Sequence, residues 1–193
     1  INGIDISGKN LKELRRQVGL VFQYPEHQLF EETVYKDVAF GLIKAGVEEP
    51  KIKEKVIEAI RLVGLKEDIL QKSPFELSGG QKRRVAIAGV IATEPEILVL
   101  DEPAAGLDPE GKDEILGLIE RFHKEKGLTV ILVSHNMEDV AKLVGRIIVM
   151  NKGKIEMDGL PSEVFRNTEK LEEIGLSAPQ ITYLMKRLKK VYP

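Results

Sequence analysis

The sequence of 193 residues contains no cysteine, and its net charge is only −2. Without cysteine, disulfide bonds and thiolate metal sites are excluded, and the composition fits a cytosolic protein. Positive and negative charges nearly balance, so no overall basic field exists for nucleic acid, and we expect no nucleic-acid partner. Hydrophobic residues still make up 42% of the chain, which is enough to build a real core.

A long apolar run and a phosphate-binding loop of the form G-x-x-x-x-G-K-[ST] are also missing from these residues. The longest strongly apolar run, residues 85–92, is far shorter than the roughly 20 residues of a membrane span. No signal peptide is visible. The chain starts at Ile1 rather than Met, and "INGIDISG" is typical of the middle of a fold, so we expect further residues upstream.

Strand-like and helix-like segments alternate, which predicts an α/β fold with a mostly parallel sheet and crossover helices. The apolar runs at 96–101 and 129–135 are typical of a sheet covered on both faces. Further strands are expected at 1–6 and 18–22, and an antiparallel hairpin at 146–159. Helices are expected at 11–16, 33–44, 50–63, 79–92, 109–126 and 137–143.

These patterns divide the chain into four segments. Residues 1–30 and 77–160 carry the strands and belong to one core. Residues 31–76 look all-helical and form an inserted helical subdomain, and residues 161–193 form a C-terminal helical extension.

Two adjacent carboxylates end the apolar stretch "ILVLDEP". A buried strand places Asp101 and Glu102 at the carboxyl edge of the sheet, where ligands bind in open α/β sheets. Successive strand side chains point in opposite directions, so the two acids have different tasks. One can hold Mg²⁺, which prefers oxygen ligands, and the other can orient or deprotonate a water. A strand followed by an acidic helix start explains the same residues equally well.

Two more polar side chains follow apolar strands. His135 comes just after "TVILVS", where a neutral imidazole can hydrogen-bond a γ-phosphate or the attacking water. Gln23 ends the strand at 18–22, and its amide can give an oxygen to a metal and donate to a water. Taken alone, a structural histidine and a polar strand end are the simpler interpretations.

A glycine-rich helix start lies in "LSGGQKRR". Gly79 and Gly80 permit close approach of the backbone, and the exposed N–H groups with the helix dipole favour an anion. Ser78 can add a hydroxyl donor. An ordinary glycine turn before a helix is the alternative interpretation.

The loop "AGLDP" is a turn followed by a helix start. Asp108 is predicted to be the N-cap of that helix, with Pro109 at its first position. This capping role is expected whatever else the loop does.

These motifs occur in a fixed order: Gln23 after a strand, "LSGGQ", "LVLDEP", "GLDP", and a strand ending in Ser134-His135. The ordered set resembles the ATP-binding cassette (ABC) ATPases, with their Q-loop, signature motif, Walker B motif, D-loop and H-loop. The resemblance covers essentially the whole chain, and it implies a P-loop-NTPase-like core with an inserted helical subdomain and a C-terminal helical extension.

A narrower resemblance involves two stretches, "VFQYPEHQLFEETVYKDVAFG" and "EEIGLSAPQITYLMKRLKK". Both are similar to the energy-coupling factor and cobalt or nickel transporter ATPases, which drive uptake of vitamins and metal ions. The implied function is therefore ATP hydrolysis coupled to uptake across a membrane. ATP and Mg²⁺ are the implied substrate and cofactor.

The resemblance assigns roles on the catalytic side of the site. It implies that Asp101 holds Mg²⁺, directly or through water, and that Glu102 is the general base or water-orienting acid. It also implies that Gln23 senses the metal and the attacking water, and that His135 contacts the γ-phosphate.

The resemblance also implies that other residues of this chain face a partner subunit. Ser78, Gly79 and Gly80, within a signature motif that ends at Gln81, would bind the γ-phosphate of ATP held by a second ABC ATPase subunit. Asp108 would cross the interface of this head-to-tail pair, whose subunits are identical or different.

The resemblance also implies a transmembrane coupling subunit as a partner. Its coupling helix would meet the loop at residues 24–32 and the helical region that follows. We therefore expect a peripheral protein at the cytoplasmic face of the cell membrane.

The main departure from the family pattern is the absent Walker A loop, which the resemblance places ahead of Ile1 with the first strands and the adenine-stacking aromatic. That loop holds the β- and γ-phosphates through backbone N–H groups and a lysine. The chain as given is therefore expected neither to bind ATP tightly nor to hydrolyse it, whereas a chain with an intact Walker A should do both.

Three alternatives compete with the transporter function. A DNA-repair or chromosome-structure ATPase carries long coiled coils, but only 53 residues separate Gln23 from Leu77, without sustained heptads. A translation-associated ATPase normally has two cassettes in one chain. A non-catalytic partner that donates only its signature motif is disfavoured by the presence of both Glu102 and His135.

Overall fold

The computed structural model describes residues 1–7 and 11–191. The chain divides into two compact units, Ile1–Val133 and Ser134–Pro193. Each unit has its own buried residues. The finer division into four segments stays a prediction.

A parallel sheet forms the centre of the N-terminal unit, and the strand order is β1-β2-β3. Its residues are mainly Val, Ile and Leu, which suit the pleated and half-buried surface of a sheet. The expected α/β fold with parallel strands is confirmed. The strands are β1 (Val18–Val21), β2 (Ile97–Asp101) and β3 (Thr129–Val133).

The expected strand at residues 1–6 is wrong, because this segment forms turns. Asn2 and Gly3 both have positive φ, at 47° and 78°, which bends the chain out of an extended conformation. The Ile4 N–H donates to the Ile1 carbonyl at 2.8 Å and closes the turn.

Five α-helices accompany the sheet in the described part of the N-terminal unit, and four of them begin and end within two residues of the expected bounds. The remaining one, α5, matches its expected bounds. The helices are α1 (Lys12–Gln17), α2 (Val34–Ala45), α3 (Glu49–Leu62), α4 (Gly79–Ile91) and α5 (Pro109–Lys126).

Helix α4 lies at the centre of the packing, in contact with α2, α3 and β1. Val85, Ile87 and Ala88 are completely buried. Apolar residues therefore occur all round α4, as expected for a helix enclosed on several sides.

Gly19 lies at a tight contact between β1 and α4. A Cβ atom at this position would lie 2.6 Å from Val90 Cγ1 and 3.0 Å from Pro95 Cγ. No real Cβ atom fits at the first of these distances, so the Val90 side chain packs directly against the Gly19 backbone.

The sheet is covered on one face by the described residues. Leu98 and Leu100 are fully buried on that face. On the other face Leu20 and Ile131 are 42% and 49% exposed, and both pair with Val99 in the strand register. The expected covering of both faces thus holds for one face only within residues 1–7 and 11–191.

The C-terminal unit contains the expected antiparallel hairpin, followed by helices. A small core joins these elements through Val140, Val149, Phe165 and Leu171. In the parts of the chain that the structure describes, no helix has both the length and the apolar character needed to cross a bilayer. The elements are α6 (Met137–Leu143), β4 (Ile147–Asn151), β5 (Lys154–Gly159), α7 (Pro161–Val164), α8 (Thr168–Glu173) and α9 (Gln180–Val191).

Candidate functional site

The two predicted acids lie where β2 ends. Asp101 is the last residue of the strand, is half-buried, and pairs with Val133 of β3. The Glu102 N–H donates to the Val133 carbonyl at 2.9 Å, which extends the pairing by one residue. The Glu102 backbone is therefore held firmly against β3.

Glu102 also has an unusual backbone conformation, with φ at +46°. Residues other than glycine rarely adopt this left-handed region, and holding one there costs on the order of 1–3 kcal/mol. Strain of this kind persists only where the surroundings enforce it, and it is concentrated at functional sites. The conformation supports a functional role for Glu102.

Gln23 lies two residues beyond β1 and is exposed. The register pairs Val21 with Leu100. Continuing this register by two residues places Gln23 level with Glu102 at the carboxyl edge of the sheet. Gln23 and Glu102 thus both follow the carboxyl ends of paired strands, while their meeting at a shared ligand stays a prediction.

The start of α4 combines a capping box with open glycines. Ser78 Oγ accepts a hydrogen bond from the Gln81 N–H at 3.3 Å, and Gln81 Oε1 accepts one from the Ser78 N–H at 3.1 Å. A Cβ placed on Gly79 or Gly80 would have no atom within 4 Å. N–H groups in the first helical turn lack acceptors within the helix, so this exposed backbone can receive an anion.

Asp108 caps α5 as expected. Its Oδ1 accepts a hydrogen bond from the Gly111 N–H at 2.8 Å, and Pro109 occupies the first helical position. The capping prediction is confirmed, while a role at a subunit interface stays a prediction.

His135 follows β3 by two residues and belongs to the C-terminal unit. The next residue, Asn136, caps α6 by accepting from the N–H groups of Glu138 and Asp139. His135 is exposed, and its approach to the acids of β2 stays a prediction.

Sequence patterns did not single out the ion pair between Arg83 and Glu26. Arg83 Nε and Nη2 donate to the two Glu26 carboxylate oxygens at 2.9 and 2.7 Å. Burial raises the pKa of Glu26, but hydrogen bonds from Arg83, with its charge, outweigh burial and lower the pKa below its ordinary 4.5. The sequence did contain a signal for this buried arginine. Arg83 lies four residues before Ile87 and eight before Ile91, so it is on the same face of α4 as these buried residues.

Protein groups near the strand ends suit Mg²⁺ only in part. No cluster of three or more His, Cys, Asp or Glu side chains able to hold a metal occurs within residues 1–7 and 11–191. Mg²⁺ is commonly held by one or two carboxylates together with phosphates and waters. Asp101 at the strand end, with the Gln23 amide at the same edge, fits that kind of partial donor set.

A cavity of about 500 Å³ lies at the opposite end of the sheet. It is lined by residues around the starts of β2 and β3, including Glu96, Ile97 and Thr129. Its two lysines are already paired, Lys55 with Glu94 and Lys126 with Glu58. None of the predicted site residues lines this cavity.

Comparison with known proteins agrees with the motif order and the strand-end geometry. The family model for ABC transporters matches residues 1–105. A solved structure of cbiO1 from Clostridium perfringens, part of the ABC transporter complex cbiONQ, has a TM-score of 0.77 and 42% identity, covering 95% of this chain and 72% of that one. The chain therefore belongs to the ABC transporter family, with the α/β fold of its ATPase cassettes.

Among curated relatives, two named "Energy-coupling factor transporter ATP-binding protein EcfA2" are especially similar. The protein from Acetivibrio thermocellus is 68% identical over 193 residues, which is 100% of this chain and 69% of the relative. The one from Caldanaerobacter subterraneus subsp. tengcongensis is 62% identical over 192 residues, 98% of this chain and 67% of the relative. The resemblance to the energy-coupling factor branch of the ABC ATPases is confirmed.

Proposed function

We propose that this protein is the ATP-hydrolysing subunit of an energy-coupling factor importer that takes up a vitamin or a metal ion. The observation that carries the proposal is the shared carboxyl edge of β1 and β2, where Gln23, Asp101 and Glu102 follow paired strands. The names of the curated relatives support the transporter class. A non-catalytic role is not favoured, since the acids needed for hydrolysis are present.

Glu102 acts as the general base in this proposal. Its carboxylate takes a proton from water as the water oxygen attacks the γ-phosphorus, while the bond to the β–γ bridging oxygen breaks and ADP leaves. The fixed Glu102 backbone supports this role, because a base must be held within hydrogen-bond reach of its water. His135 follows β3 in the sequence, and its contact with the γ-phosphate stays a prediction.

Asp101 and Gln23 hold Mg²⁺ in this proposal, and Gln23 also orients the attacking water through its amide N–H. The ion supplies positive charge that neutralises the developing charge on the phosphate oxygens. Because Gln23 is exposed, its amide is accessible to both metal and water.

The start of α4 serves a second ATPase subunit in this proposal. The N–H groups of Gly79 and Gly80 and the Ser78 hydroxyl bind the γ-phosphate of ATP held by that subunit, and Asp108 lies at the interface. The open space around both glycines leaves room for such a phosphate. A related ATP-binding cassette, MJ0796, was solved as a dimer bound to ADP and Pi, with 29% identity, a TM-score of 0.67, and coverage of 82% of this chain and 68% of that one.

Exposed aromatic rings near Gln23 support a contact with a transmembrane subunit. Tyr24 is 40% exposed and Phe30 is 58% exposed. Phe30 packs edge-on against Phe40, with ring centroids 5.0 Å apart. The contacting exposed rings of Phe30 and Phe40 are of the kind that mark interaction sites, and we place the protein peripherally at the cytoplasmic face of the membrane.

The test replaces Glu102 in the whole gene product, purified with its membrane partners. Glu102→Gln keeps the shape but loses the base, so ATP turnover should fall about 10²- to 10⁴-fold while ATP still binds and holds the subunits together. Glu120→Gln, at an exposed acid of α5, is the matched control and should turn over normally. Unchanged turnover in Glu102→Gln would remove Glu102 from the mechanism.

A further inference from the structure

A single buried guanidinium connects the segment after Gln23 with the segment after Glu102. Arg83 is 2% exposed and lies in α4, in the second helical turn after the signature glycines. One side of the guanidinium binds both oxygens of Glu26. Glu26 belongs to the 3-10 turn Pro25–Gln28, which begins two residues after Gln23.

The remaining nitrogen of Arg83 points to the loop after β2. Its Nη1 donates to the Ala105 carbonyl at 2.8 Å and to the Pro103 carbonyl at 3.2 Å. The Ala105 N–H donates to the Glu102 carbonyl at 3.0 Å, so the same loop is closed onto the proposed base.

Aromatic packing reinforces the connection. The Tyr24 ring lies next to Arg83, with the guanidinium carbon 5.9 Å from its centroid. A Cβ on Gly106 would lie 3.3 Å from Tyr24 Cε1, so the Tyr24 ring also borders the loop after Glu102. Tyr24 itself is held at φ of +54°.

Only arginine suits this position. A planar guanidinium offers five N–H donors in a fixed fork, whereas a lysine ammonium is a single point that cannot span two segments in this way. A buried ion pair also contributes little net stability, since desolvation offsets the attraction between its charges. Arg83 therefore acts by fixing the geometry of the two segments rather than by adding stability.

We propose that Arg83 is a positioning residue that sets the separation between the turn after Gln23 and the loop after Glu102, so that the two segments move together. This inference rests on the proposed function for its catalytic consequence, because Gln23 and Glu102 must address the same water. It does not rest on that function for the structural link, which follows from the hydrogen bonds alone.

The experiment measures amide hydrogen exchange in the whole protein carrying Arg83→Lys. The reporters are the His27 N–H, which donates to Tyr24, and the Ala105 N–H, which donates to Glu102. Exchange should become at least about tenfold faster at both amides. Each segment can then open locally without breaking hydrogen bonds to the Arg83 side chain that both segments share. Lys55→Met is the control: it breaks a partly buried pair with Glu94 and should change neither amide.

The second measurement on Arg83→Lys is its steady-state ATP turnover. A small displacement of catalytic groups lowers turnover by about 10- to 100-fold. The KM for ATP should stay within about threefold, because the lost interaction acts in the transition state rather than in substrate binding. Loss of turnover together with a large rise in KM would indicate damage to ATP binding instead and would overturn the proposal.

A second variant covers the case in which Arg83→Lys does not fold. Arg83→Met combined with Glu26→Gln removes both charges together, which a buried site tolerates better than one unpaired charge. Faster exchange at His27 and Ala105 is again expected. Faster exchange in only one segment, in neither, or equally throughout α5 would overturn the proposal. If the unmodified protein hydrolyses no ATP, the proposed function fails, yet the exchange result still decides the role of Arg83.

Discussion

Ser78 and Gln81 form two hydrogen bonds in opposite directions at the start of α4: each residue's side-chain oxygen accepts from the other's backbone N–H. The Ser78 oxygen acts as an acceptor in this pair, so its own proton stays available for a further acceptor. One hydroxyl can thus cap the helix and donate to a phosphate. These two tasks can be separated by substitution.

Ser78→Asp should keep the cap and lose the phosphate contact, because aspartate is an equally good N-cap but brings a negative charge toward the phosphate. Its unfolding free energy should stay close to that of the unmodified protein. Ser78→Ala should lose about 1 kcal/mol with the cap. Chemical denaturation gives the stabilities, and sedimentation with ATP in the Glu102→Gln background gives the pairing, which should fail in both variants. Normal pairing of Ser78→Asp would show that no phosphate approaches Ser78.

Gly79→Ala should stabilise the isolated fold and still prevent ATP-driven pairing. Alanine in the middle of a helix is favoured over glycine by roughly 0.5–1 kcal/mol. The gain is smaller at the first helical position, where the added Cβ of Gly79→Ala meets nothing within 4 Å in this chain. A loss of ATP-driven pairing must therefore come from a clash with a group outside this chain. The assay combines denaturation with light scattering in the presence of ATP.

Gly117→Ala in α5 is the matched control, since it also has open space around its Cβ position. It should stabilise the fold by at least as much and leave pairing intact. If Gly79→Ala pairs as well as Gly117→Ala, the signature glycines do not face a bound phosphate.

At position 102 glycine should be at least as stabilising as alanine. Alanine normally exceeds glycine by about 0.5–1 kcal/mol, but the left-handed backbone at Glu102 penalises every residue with a Cβ. Thermal unfolding of Glu102→Gly and Glu102→Ala measures the difference, with both variants lacking the carboxylate. The same two substitutions at Glu120, within α5, should leave the alanine variant more stable than the glycine variant. Alanine ahead of glycine at both positions would mean that Glu102 is not strained.

The stability contributed by Glu26 should depend on pH. Its pKa is lowered in the folded protein below the ordinary 4.5, so the unfolded chain binds more protons as the pH falls through that range. The stabilisation is present in full above about pH 4.5 and is lost as the pH falls through the lowered value. The free energies of unfolding of the protein and of Glu26→Gln, measured by denaturation, should therefore differ most near neutral pH and converge in acid. A gap that stays constant down to acid pH would contradict ionic pairing of Glu26 with Arg83.

Local patterns predicted much of this fold. Apolar periodicity placed α5 and the strands around β2, and the sequence Asp108-Pro109 predicted a cap that the structure contains. The same reasoning failed at residues 1–6, where isoleucines suggested a strand but Asn2 and Gly3 turn the backbone.

Long-range geometry could not be predicted in this way. The pairing of Arg83 with Glu26 spans 57 residues of sequence, and no local period links two such positions. The strained φ of Glu102 is equally hidden, because glutamate gives no sign of a left-handed backbone and only the surrounding hydrogen bonds enforce it.

The contact at Gly19 has a consequence for inherited variation. Val90 and Pro95 are stiff residues, so a methyl group at position 19 would push β1 away from α4. Overpacking of this kind costs about 1–3 kcal/mol, and the displaced strand is the one that leads to Gln23. In a library of random variants scored by growth on a limiting nutrient, position 19 should accept only glycine. A natural variant with any other residue at position 19 should carry a second change at Val90 or Pro95 that restores the space.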